Sequence, residues 1–105
     1  MTNMLPEIER CRTDLAALCR RFGVRRLEAF GSAVSGRFQS GTSDIDFLVE
    51  FLPLKGPGYA ERYFGLLESL EALFQRPVDL VVASAIKNPY FRQSVDETRT
   101  LLYAA

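Results

Sequence analysis

The chain has 105 residues, 48% hydrophobic and 25% charged, which suits one small domain with a single core and an ordinary soluble surface. Thirteen basic and thirteen acidic residues cancel, so no global field draws a polyanion such as nucleic acid, although local patches stay open. Histidine is absent. That excludes Ser-His-Asp and Cys-His nucleophilic catalysis, histidine-ligated zinc and the usual general base, and leaves chemistry to carboxylates, lysine, arginine, hydroxyls, thiols or metal.

Leu5, Ile8, Cys11, Leu15, Leu18 and Phe22 recur at helical steps, which predicts a helix over 6–22 with Pro6 in its first turn and Gly23 just past its end. Cys11 and Cys19 fall in this helix, about 12 Å apart along its axis, beyond the roughly 7 Å that a disulfide allows. With no signal peptide and no long apolar run, the expectation is a cytoplasmic protein with free, packed thiols and no membrane segment. Residues 25–30 (RRLEAF) read as a short strand ending at Gly31. Residues 31–42 hold three glycines and three serines, and predict a tight turn, a short helix and a loop.

The clearest strand is 43–51 (SDIDFLVEF), with Asp44, Asp46 and Leu48 on one face and Ile45, Phe47, Val49 and Phe51 on the other. The breaker-rich PLKGPG follows, and then Tyr63, Leu66, Leu67, Leu70, Leu73 and Phe74 predict a helix over 59–75. Arg76-Pro77 stops it. Residues 78–82 (VDLVV) read as a buried strand interrupted by Asp79, a last helix near 88–98 follows at Asn88-Pro89, and 101–103 add an edge strand. The alternation argues a single α/β (α+β) domain over 1–105, a small mixed sheet flanked by helices.

On a strand, Asp44 and Asp46 project from the same face, where each carboxylate raises the other's pKa unless a cation compensates. A hard divalent ion such as Mg²⁺ prefers such oxygen ligands; the plainer alternative is two solvated acids at a strand end. Asp79 sharpens the choice, because an unpaired carboxylate inside an apolar run is costly. A neighbouring strand would set it against the first two and close a three-carboxylate cluster. Its plainer reading is an acid paired with Arg76 or Lys87. Gly31-Ser32 after a strand, with Ser35 and Gly36 following, would let backbone N–H groups approach a phosphate if a helix starts there; an ordinary strand-to-helix turn is the alternative. Neither a Walker A sequence nor the dinucleotide glycine spacing is present.

In this order, Phe30-Gly31-Ser32, Gly36, Ser43 to Phe51 and Val78-Asp79-Leu80-Val81 resemble the DNA polymerase β-like nucleotidyltransferase superfamily. The likeness is strongest to its minimal nucleotidyltransferases, many of which accompany HEPN-domain toxins as antitoxins, and it covers nearly the whole chain. The resemblance implies the polymerase β-like fold, NTP as substrate and two Mg²⁺ ions. It assigns Asp44, Asp46 and Asp79 as catalytic metal ligands, and Gly31, Ser32, Arg37 and Ser43 as contacts of the nucleotide. Asp79 would also help deprotonate the acceptor hydroxyl. Two features depart from the pattern. Many relatives carry arginine where this chain has Ser35, leaving Arg37 as a shifted substitute, and the loop between Ser32 and Asp44 is slightly long.

The function so implied is transfer of AMP from ATP to a hydroxyl of a HEPN toxin. The rivals are an antitoxin that acts by occlusion alone and a small-molecule nucleotidyltransferase working as a homo-oligomer. The remaining features carry less. Lys55 reads as a solvated loop lysine, and Asp96, Glu97 and Arg99 as a solvated helix face. Tyr59, Tyr63, Tyr90 and Phe91 read mainly as core, with a partner surface as the alternative.

Overall fold

The fold was obtained as a computed structural model, which describes residues 6–31, 34, 44–53 and 58–105. Its N-terminal helical region is split: α1 spans Pro6–Arg10 and α2 spans Arg12–Arg21. Between them the Cys11 N–H is shared by the Glu7 and Ile8 carbonyls, each at 3.2 Å, so the path bends where one continuous helix was expected. Such three-centre bonds are common at helix ends. Past α2, Gly23 adopts φ +66° and turns the chain into β1 (Val24–Phe30). Arg62 closes this turn by donating to the Phe22, Gly23 and Leu52 carbonyls.

β2 (Ile45–Phe51), α3 (Tyr59–Phe74), β3 (Val78–Val82), a short 3₁₀ turn (Ala83–Ala85), α4 (Pro89–Thr98) and β4 (Thr100–Ala104) complete the described elements. α3 ends at Gln75, which takes the left-handed conformation just before Arg76-Pro77, a stop that proline enforces. α4 starts on Asn88, whose side chain accepts from the Tyr90 and Phe91 N–H groups while Pro89 fills the first helical position, a pairing that suits helix starts.

The sheet order is β3-β2-β1-β4. β1 runs antiparallel to both β2 and β4, whereas β2 and β3 are parallel. One face carries the main core, where Leu27, Ile45, Phe47 and Val49 pack against Ile8, Leu15, Leu66 and Leu70 of α1, α2 and α3. Each such buried side chain contributes about 1.5–3 kcal/mol. The other face holds a smaller cluster of Phe30, Leu48 and Val95 beneath α4, with Val81 and Ile86 at its margin. Among the described residues α4 is the helix over this face, and Asp44 and Asp79, where β2 and β3 begin, are exposed.

The structure differs from the sequence expectations on the aromatic residues. Tyr59, Tyr90 and Phe91 are exposed, Tyr90 at 81%, while Tyr63 packs against the main core and Phe91 meets Phe30 edge-on at 6.1 Å. The periodicity marks which face of a helix is apolar, but not how fully a ring in its first turn is covered.

Candidate active site

Asp46 and Asp79 are direct partners in the parallel register of β2 and β3. Leu48 and Val81, two residues further along each strand, lie in the small cluster under α4, so strand alternation sets both carboxylates on that same face. Asp44 precedes the first residue of β2 and is exposed, as is Asp79; Asp46 is half-buried. Burial, then the charge of Asp79, then that of Asp44, push the Asp46 carboxyl up to about 6. Asp46 therefore senses the charge of both other acids. Among the described residues no three acidic or thiol side chains are drawn into a finished metal cage. Like charges held at one strand end spread apart unless a cation draws them in. Three carboxylates and no nitrogen or sulfur donor make a set that suits a hard cation such as Mg²⁺.

Gly31 completes this end of the sheet. Its φ of +72° favours glycine, and a Cβ built on it would meet Asp46 Oδ2 at 2.7 Å, so a side chain here would force that carboxylate to shift. Its N–H does not face outward for phosphate, because it donates to Thr98 Oγ1 at 2.8 Å. Its carbonyl accepts from Val34 N–H at 3.1 Å, the start of a turn after the strand. Ser32, Ser35, Arg37, Ser43 and Lys55 lie outside the described residues.

Two features escaped the sequence reading. The structure pairs Arg76 with Glu7 of α1 at 3.1 Å. More importantly, Arg99 is no solvated residue: it donates to both oxygens of Glu28 at 2.6 and 3.0 Å, and to Asp96 at 2.8 Å. Glu28 is only 4% exposed, and Arg26 approaches it as well at 3.2 Å. Neither Thr98 nor this pair carried a local signal, because each partner lies about seventy residues away in sequence.

Asp46 gives the metal-free protein a pH dependence of definite sign. Its proton is held more tightly in the folded state, up to about 6, than at the ordinary value of 3.8. The penalty for ionising it is absent below the lower value, grows as pH rises between the two, and is complete above the upper one. Discounted for partial exposure, it amounts to about 1–2 kcal/mol at pH 7. Urea unfolding of the native protein and of Asp46→Asn should diverge in favour of the variant between pH 4 and 7. Parallel pH curves would mean that Asp46 is solvated.

A half-buried strand carboxylate thus lies beside its neighbour across a parallel pair, with a glycine packed against it, and the comparisons with known proteins give the class. Residues 11–102 match the family described as Nucleotidyltransferase domain. The chain belongs to that family and is a nucleotidyltransferase of its minimal type. It is 38% identical over 77 residues to MJ1379 of Methanocaldococcus jannaschii, a candidate protein adenylyltransferase, covering 73% of this chain and 75% of that one. The protein adenylyltransferase MntA of Thermococcus cleftensis is 41% identical over 68 residues, or 65% of each chain. Among solved structures, a candidate minimal nucleotidyltransferase superposes with a TM-score of 0.73 at 27% identity, covering 92% of this chain and 94% of that one. The MNT antitoxin bound to tri-AMPylated HEPN toxin of Shewanella oneidensis shares the fold, with a TM-score of 0.62 at 18% identity over 93% of this chain and 73% of that one. Among the described residues, no helix is long and apolar enough to cross a membrane.

Proposed function

We propose that this nucleotidyltransferase moves AMP from ATP to a hydroxyl on a HEPN-domain partner and thereby acts as its antitoxin in the cytoplasm. The observation that carries the reading is the pairing of Asp46 with Asp79 across β2 and β3, with Asp44 near enough to raise the Asp46 pKa. Support for the acceptor comes from relatives named protein adenylyltransferases and from the shared fold of an antitoxin held against an AMPylated HEPN toxin. Asp44, Asp46 and Asp79 would hold the divalent ions, which when bound neutralise the triphosphate and make the acceptor hydroxyl easier to deprotonate. Gly31 keeps the space beside Asp46 free of a side chain, and the nucleotide is expected along Ser32, Arg37 and Ser43. The acceptor hydroxyl gives up its proton, with Asp79 as the expected base, and its oxygen forms a bond to the α-phosphorus as the bond to pyrophosphate breaks, a displacement in which alignment and charge neutralisation do most of the work.

Incubation of the protein with labelled ATP, Mg²⁺ and a HEPN-domain protein tests the proposal. Mass spectrometry should find AMP on a hydroxyl side chain of that partner, with EDTA abolishing the label. Tight binding that neutralises the toxin while leaving it unlabelled would replace transfer by occlusion.

A further inference from the structure

We propose that Thr98 is a positioning residue for the active site, holding the Gly31 turn against Asp46. The inference rests on the assignment of Asp46 to the site, and its geometry is independent of which acceptor is used. Thr98 Oγ1 accepts the Gly31 N–H at 2.8 Å and makes a longer contact of 3.4 Å as donor to the Ser94 carbonyl of its own helix. Thr98 is the last residue of α4 and is anchored on both sides. Val95, one turn earlier, is fully buried; Arg99, the next residue, is clamped to the buried Glu28 of β1.

Gly31 thus has its amide fastened to α4 while its Cα lies where an added methyl would meet Asp46 Oδ2. Without an acceptor, that part-buried N–H would have to turn toward water, and the turn would move relative to Asp46. Displacements of about an ångström in a site of this kind cost as much as a hundredfold in rate. Thr98 touches none of the three acids through a hydrogen bond, so its effect passes through Gly31. A serine keeps the acceptor, whereas a valine keeps the branched shape and removes it.

The test compares Thr98→Val and Thr98→Ser with the native protein, below the melting range of all three. Three quantities are read, with KM for ATP as a control: Gly31 amide hydrogen exchange, the NMR shift of the Asp46 carboxylate carbon, and kcat for AMP transfer. Thr98→Val should speed Gly31 exchange by about tenfold or more, move the Asp46 signal, and lower kcat by about tenfold with KM for ATP changed less than threefold. Thr98→Ser should restore all three. A valine variant with native kcat and an unmoved Asp46 signal would overturn the proposal, as would a serine variant as impaired as the valine. If the native protein transfers no AMP, the functional reading falls separately, and the exchange rate and the Asp46 signal still decide the role of Thr98.

Discussion

Asp46→Asn should lower AMP transfer by about a thousandfold or more, a loss of about 4 kcal/mol in transition-state stabilisation, while making the metal-free protein more stable. Asp46 is the most buried of the three acids and feels the charge of the other two. Asparagine matches its shape and removes the charge, so at pH 7 the variant should gain about 1–2 kcal/mol in urea unfolding. Activity and stability moving in opposite directions is the signature of a charge kept for function. The same variant separates transfer from occlusion in the cell. It should still bind the HEPN partner but fail to protect against it, and full protection by the transfer-deficient variant would establish occlusion instead.

The largest stability loss is expected at the other acid on this face. Arg99→Met leaves Glu28 buried with Arg26 as its remaining cation, and should destabilise the fold by about 2–4 kcal/mol. The double variant Glu28→Leu, Arg99→Met should recover most of that loss, because the cost lies in stranding a buried charge rather than in losing attraction. Equilibrium unfolding of the two variants decides it. A change below about 0.5 kcal/mol for Arg99→Met would mean that water replaces the guanidinium freely.

Much of this architecture was legible in the sequence because local signals and tertiary packing agree. The alternation in SDIDFLVEF is the division between the two faces of the sheet, and Asn88-Pro89 starts α4 because cap and first-turn proline need no distant partner. The resemblance carried by Gly31, Asp44, Asp46 and Asp79 led to the family that the comparisons identify. What escaped was decided across the chain. Glu28 lies between apolar neighbours in β1, and nothing near it announces that Arg99 will arrive from the far end of α4. The Gly31 amide, expected to face phosphate, is captured by Thr98 for the same reason. A helix bent at Cys11 was likewise invisible, since the apolar spacing continues unbroken through it.

The position of Asp79 on an edge strand has a consequence for how this protein would fail. Among the described residues β3 pairs with β2 on one side only, and a slip of one residue would turn Asp79 toward the helices while presenting Val78 or Leu80 in its place. Catalytic competence and strand register are then one variable. Heat, urea or a substitution that loosens β3 should extinguish transfer before the bulk of the helices melts, so loss of activity marks the onset of unfolding from that edge.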